Sequence, residues 1–306
     1  MVHRQHQKGI ALIQVLLLTA ILTVLALYIT QTAKSQVQQA QWMSDKAQAH
    51  VELHSAEALL LFELLTTKKV NKNTQNNNGA VQDEETASIS QRWNFFAQPF
   101  IIANNVTVKI QDEAGHINLH YPQTDRLKAL LKGHGLSEAR ADMVTDSLLD
   151  WQDIDSIQRH NGAEQSSYGN DVAIRNGAIP SIDDIAYVKN MSTDIVELLK
   201  QTSTIYKKGA FSPMNAPQVL LQALTNKSIA EKVVSLRNNG QLTQQLFRNI
   251  TGIKETDNIF FYTSNYLKIE LSSKIGDSRV VKSMNIFFQP YAENTQTPIN
   301  IYVSRG

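Results

Sequence analysis

From Gly9 to Ala33 the chain contains no Asp, Glu, Lys or Arg, and Leu, Ile, Val and Ala dominate the run to Thr30. About 20 apolar residues are enough to cross the hydrocarbon core of a bilayer, and a helix satisfies every backbone polar group within the segment. Arg4 and Lys8 precede the run and no acid does. The positive-inside rule keeps such an N-terminus in the cytoplasm and sends the bulk of the chain across. A Sec signal peptide would have a shorter apolar region and a small-residue cleavage site. Gln31-Thr32-Ala33 is a poor version of that site, so a plain signal anchor is one reading.

The helix does not stop at the membrane edge. Ser35 to Lys69 contains no Pro or Gly and is rich in Ala, Gln, Leu and Glu, all good helix formers. Apolar residues recur at Val51, Ala58, Leu61 and Leu65 among polar ones, an amphipathic period. Joined to the membrane segment, this gives one helix of about 55 residues, roughly 80 Å long. His50 and His54 share a face, but Glu52 is one position too late for a zincin motif. Solvated surface positions are expected for both.

Residues 68 to 91 are polar, Asn-rich and aperiodic, which reads as a flexible connection. Trp93 to Phe100 and Val106 to Ile110 look like strands, and Ile117 to Leu119 follows a turn at Glu113-Ala-Gly115. Helical spacing then covers Thr124 to Lys132 and Ser137 to Trp151, with Ser137 as an N-cap. An acidic irregular stretch, Gln152 to Ala178, separates these from helices starting at Ser181 and Met191. A related pattern returns at Met214-Asn-Ala-Pro217, followed by Val219 to Leu224 and Ser228 to Asn238. The two stretches, 120–206 and 212–257, look like degenerate copies of a helical-hairpin unit. The chain closes β-like: Leu267, Ile269 and Leu271 alternate with Lys268 and Glu270, Val280 to Phe288 follows a turn at Ile275-Gly-Asp277, and Ile299, Ile301 and Val303 alternate in a last short strand.

Sheet material thus lies on both sides of a helical insertion. The expected fold class is α+β: a long N-terminal helix packed on a small antiparallel sheet, with a large all-α domain inserted between strands. The expected divisions are 10–32 in the membrane, 33–119 for the outer helix half and first strands, 120–257 for the insertion and 258–306 for the last strands. There is no cysteine among the 306 residues, so disulfides and thiolate chemistry are excluded. A net charge of +1 gives no basic field for nucleic acid. No nucleophile elbow, P-loop or zinc motif is present, and no enzyme is expected.

A short basic leader, residues 1–9, ending in Lys8-Gly9 and followed by Ile10-Ala-Leu-Ile resembles the leader of type IV pilins and pseudopilins. The resemblance implies cleavage between Gly9 and Ile10 by a prepilin peptidase and methylation of Ile10. Pilins usually carry Glu at the fifth mature position, where it neutralises the N-terminal ammonium of a neighbouring subunit. Here that position is Gln14, which cannot cancel a charge. A subunit without the acid is suited to standing first rather than following another.

The resemblance becomes specific further along. Asp112-Glu-Ala-Gly115-His-Ile117-Asn118-Leu119, Asp150-Trp151-Gln-Asp153-Ile-Asp155, Gly162-Ala-Glu164, Tyr168, Ile179-Pro-Ser-Ile-Asp-Asp-Ile185 and Met214-Asn-Ala-Pro217 occur in the order seen in the K-type minor pseudopilin of type II secretion systems (GspK family). The resemblance covers nearly the whole chain. It implies a single-pass inner-membrane protein that caps and starts a periplasmic pseudopilus. Its implied partners are the I- and J-type minor pseudopilins, the major pseudopilin, the prepilin peptidase and the inner-membrane assembly platform. K-type proteins bind calcium in the helical domain, and Asp150, Asp153, Asp155 and Glu164 are the candidate ligands. The spacing is not that of an EF-hand. Gln165 stands where the family usually has Asp.

Two other readings remain. A minor type IV pilin shares the leader. A membrane-tethered DNA binder is suggested by Leu131-Lys-Gly-His-Gly-Leu136, which resembles a helix-hairpin-helix loop. Against it, Glu138, Asp142, Asp146, Asp150, Asp153 and Asp155 follow within 19 residues of that loop's end, and their charge would repel phosphate.

Overall fold

The computed structural model describes residues 10–70, 88–103, 105–169, 172–206, 209–293 and 295–305. The leader with Gly9, and most of the Asn-rich connection, lie outside the described residues.

Helix α1, Ile10–Thr66, is a single 57-residue rod, about 85 Å long at 1.5 Å per residue. Its apolar half is long and hydrophobic enough to cross a membrane. Within that half, the hydroxyls of Thr19, Thr23, Thr30 and Thr32 each donate to a carbonyl three or four residues back at 2.7–2.9 Å. In lipid that is how a lone hydroxyl avoids being left without a partner.

The chain then runs β1 (Phe100–Ala103), β2 (Val106–Asp112), β3 (Ile117–Asn118), α2 (Thr124–Gly133), α3 (Glu138–Gln152), α4 (Thr193–Thr202) and β4 (Ser203–Thr204). It continues through α5 (Gln218–Leu224), α6 (Lys227–Asn238), α7 (Gln244–Thr251), β5 (Tyr266–Ile275), β6 (Ser278–Phe288) and β7 (Ile299–Arg305). The main sheet is antiparallel, in the order β1-β2-β5-β6-β7. β2 and β5 are hydrogen-bonded neighbours, Val106 opposite Ser273 through Asp112 opposite Leu267. The whole helical domain is therefore inserted between two adjacent strands, as the α+β reading expected.

Two cores result. In the first, Ala49, Leu53, Ala56, Leu60 and Leu64 of α1 pack on Val108, Ile110, Leu267, Ile269, Leu271, Met284, Ile286 and Phe288. Lys282 of β6 closes one side by pairing with Glu57 of α1 at 2.7 Å. In the second, side chains from Ile117 to Phe261 form one continuous cluster that includes both helical stretches of the insertion.

The buried stripe corrects the face read from the sequence. Val51 and Ala58 are exposed, and Leu61 and Leu65 are only partly covered. The inward stripe is the neighbouring one, 49-53-56-60-64, in which two alanines let the rod lie close to the sheet. Leu60→Ala is expected to cost about 2–5 kcal/mol by leaving a cavity, whereas Val51→Ala should cost under about 0.5 kcal/mol. Denaturant midpoints of the two variants check this.

Three local expectations also change. Trp93 and Phe95 are buried, but only Phe96 makes an isolated bridge, to Gln111, and the strand begins at Phe100. The helix expected from Ser181 is a 3-10 turn, Ile182–Tyr187. Helix α7 was not anticipated. It is capped by Thr243, whose hydroxyl accepts from Leu246 N, and stopped by Gly252 at φ +72°.

Candidate functional site

The head is joined to the sheet by a buried polar knot made from two of the sequence motifs. Asp112 ends β2 and is fully buried. Its carboxylate accepts from Ala114 N at 2.9 Å, Asn215 Nδ2 at 2.9 Å, Ser264 N at 3.1 Å and Ser264 Oγ at 2.5 Å. Both crossings of the chain between sheet and head, near 112 and near 264, are thus tied to the Met214-Asn-Ala-Pro217 motif. Gln111 Nε2 adds a bond to Asn215 O at 2.9 Å, and Ser212 N one to Ala114 O at 2.7 Å. Gly115 is required here. A Cβ on it would lie 2.6 Å from Asn215 O, a backbone atom that cannot swing away. Arg237 of α6, almost fully buried, donates to Met214 O and Ala216 O at 3.1 and 2.8 Å and lies 4.4 Å over the Phe96 ring. Burial pushes its guanidinium down to about 10 and pushes the Asp112 carboxyl above the usual range.

The acidic loop lies at the far end of α3. Asp153 caps that helix, and the loop returns at Glu164. One carboxylate oxygen from each of Asp153, Asp155 and Glu164 falls within 4.8 Å of the others. Glu164 is only 5% exposed, and neither of its oxygens has a partner. Asp153 Oδ1 is likewise unpartnered. A buried, a half-buried and an exposed carboxylate, the first two with unpartnered oxygens, make a donor set of the kind a hard cation such as calcium takes. The Glu164 carboxyl is pushed up, first by burial and then by the charges of Asp150 and Asp153, and a divalent cation would relieve both.

Asp150 is not in that cluster. It is fully buried and accepts from Arg159 N at 3.2 Å and from Arg159 Nη1 at 2.5 Å. Arg159 Nη1 also bonds Asp153 Oδ2. Gly162 leaves room for this pairing, since a Cβ there would lie 1.9 Å from Asp150 Oδ2. Gln165 stitches the loop: its amide donates to Val172 O at 3.0 Å and accepts from Ile174 N at 2.8 Å.

Gln14 lies on the exposed surface of the first turns of α1. His50 and His54 are exposed, and His54 reaches Glu57 at 3.4 Å. The loop between α2 and α3 does form a tight turn, with Gly135 at φ +101°. However, its nearest lysines are committed to acids, Lys128 to Asp142 at 2.7 Å and Lys132 to Glu138 at 3.5 Å. Sequence reasoning missed Ser264 and Arg237 altogether. It saw Asp112 and Asn215 only as matching letters, although a buried Asp at a strand end is itself a signal for a polar joint.

Residues 104–208 match the family model described as type II secretion system (T2SS), protein K. A curated relative from Escherichia coli (strain K12), "Putative type II secretion system protein K", is 26% identical over 63% of this chain. The match spans 61% of that relative's length, less than two thirds of it. A chain in the solved GspK-GspI-GspJ complex of the enterotoxigenic Escherichia coli type 2 secretion system superposes with a TM-score of 0.52 at 16% identity. That match covers 90% of this chain and 98% of that one, and it is a likeness of fold. Residues 104–208 are thus similar to protein K of type II secretion systems, and the chain as a whole shares its fold with a chain of the solved complex.

Proposed function

We propose that this protein is a minor pseudopilin that caps and initiates the periplasmic pseudopilus of a type II secretion system. The observation that carries this is the insertion of the whole helical head between the adjacent strands β2 and β5, on a stem whose fifth mature residue is Gln14. A head of that size obstructs lateral packing inside a fibre and is accommodated at its end. The apolar half of α1 anchors the chain in the inner membrane, with the N-terminus cytoplasmic and the sheet and head periplasmic. Cleavage between Gly9 and Ile10 would free the stem for assembly. The role is structural rather than enzymatic.

The partners that fit are I- and J-type minor pseudopilins, held stem against stem. Val51, Leu59 and Phe62 offer a surface for this: they face outward above the membrane half, and Phe62 is 63% exposed. The chain has no cysteine of its own, so single replacements give clean cross-links. Phe62→Cys is expected to form disulfide-linked heterodimers with a cysteine placed on a neighbouring stem, and the buried Leu60→Cys to form none. Absence of cross-links from every outward position would reject the proposed packing.

Calcium belongs to the same proposal, with Asp153, Asp155 and Glu164 as its ligands and Asp150 held behind them by Arg159. Bound there, calcium would pin the loop to the end of α3. At calcium 100-fold above Kd the expected rise in Tm is about 5–10 °C. Asp153→Asn combined with Glu164→Gln should abolish it. A wild-type Tm that does not differ between calcium and EDTA would remove the metal.

A further inference from the structure

Asp150, Asp153, Asp155 and Glu164 crowd one end of α3, and among the described residues their only ion-pair partner is Arg159. Arg159 engages them in two separable ways. Its backbone N–H donates to both oxygens of Asp150, at 3.4 and 3.2 Å, and Gly162 packs against the same carboxylate. That contact belongs to the turn and does not depend on the side chain. The guanidinium is different. Nη1 spans Asp150 Oδ1 and Asp153 Oδ2, yet the side chain is 38% exposed, so it has an open path to solvent. Asp153 is shared between two sets of neighbours. Oδ2 is taken by Arg159, while Oδ1, like both oxygens of Glu164, has no partner, and Asp153 offers one of its oxygens to the cluster with Asp155 and Glu164.

We propose that Arg159 is a tethered counter-cation of the acidic loop, standing in for calcium at Asp153 when the metal is absent and lowering the loop's affinity for it. This rests on the calcium reading above. A positive group fixed on a ligand carboxylate repels an incoming divalent cation and occupies one of the oxygens it needs. Calcium prefers six to eight oxygens, and three carboxylates reach that number most readily when Asp153 gives both of its own. Binding therefore requires the guanidinium to swing outward, while the Arg159 N–H keeps Asp150 in place. The loop would stay ordered in both states, with the tethered cation replaced by the free one.

The test uses the full chain purified in detergent, with calcium chloride titrated by calorimetry and Tm measured in EDTA. Arg159→Gln is expected to lower the metal-free Tm and tighten calcium binding about tenfold, so that the Tm gap to wild type closes at saturating calcium. Arg159→Lys keeps the charge without the fork and is expected to bind with intermediate affinity. If both variants bind calcium no more tightly than wild type, the proposal is overturned and Arg159 is a structural brace only. If Arg159→Gln does not fold without metal, Arg159→Lys decides alone, and unchanged affinity in it overturns the proposal. Should neither wild type nor variant show any calcium heat, the calcium reading falls and this inference with it.

Discussion

Asp112→Ala is expected to lower stability by about 2–4 kcal/mol and to split one melting transition into two. The carboxylate holds Ala114, Asn215 and Ser264 at once, and these lie on both strands leading into the head and on the head itself. Without it, buried N–H and O–H donors lose their acceptor, at about 1–3 kcal/mol each. Part of that loss is offset because a poorly solvated charge is no longer buried. The sheet core and the head core are otherwise separate clusters, so weakening the knot should let them unfold independently. Calorimetry that finds one undivided transition at the wild-type Tm would show that the knot does not couple them.

The same carboxyl gives a pH dependence with a definite sign. Its folded-state value is raised, by burial first. Between the unfolded value near 4 and that raised value, the folded protein keeps a proton the unfolded chain has lost. The stability gained is complete below about pH 4 and is lost as pH rises through the folded value. Glu164 is raised as well and adds in the same direction when no metal is present. Asp112→Asn and Glu164→Gln, measured in EDTA, should each flatten the slope of Tm against pH above about pH 4.

The second large effect is on assembly. Gln14→Glu is expected to cut the number of pseudopili per cell several-fold, or to let this subunit enter the shaft. Within the membrane an uncompensated charge is expensive. On the proposed role, a following subunit would need an acid to meet the ammonium ahead of it, and a leading subunit would not. Glu at this position would give the leader the same credentials as every follower. The stability of the sheet and head should not change, because the position lies on the exposed start of α1. Wild-type pseudopilus number with the subunit still confined to its usual place would remove this role for Gln14.

How much of this could be read from the sequence depended on distance along the chain. The apolar run of membrane-spanning length, the uninterrupted stem and the alternation in β5 are local patterns, and they formed as read. So did the Ser137 cap, whose hydroxyl accepts from Arg140 N at 3.3 Å without a capping-box Glu. The inward face of α1 was misjudged because large apolar residues point both ways. Alanines at 49 and 56 mark the packed stripe, whereas Phe62 and Val51 point outward. Helix α7 is eight residues long, too short for its period to stand out. The polar knot could not be derived at all, since Asp112 meets partners 103 and 152 residues away. In the acidic loop the residue types suggested a cation, but the pairing of Asp150 with Arg159 follows from a turn whose geometry depends on Gly162.

The most direct test of the central claim is where this subunit sits in an assembled pseudopilus. Tyr121 lies on the head and is 80% exposed, and a gold label on Tyr121→Cys would be the only thiol label on the chain. One label at a single end of each fibre is the predicted result, and labels repeated along the shaft would contradict it.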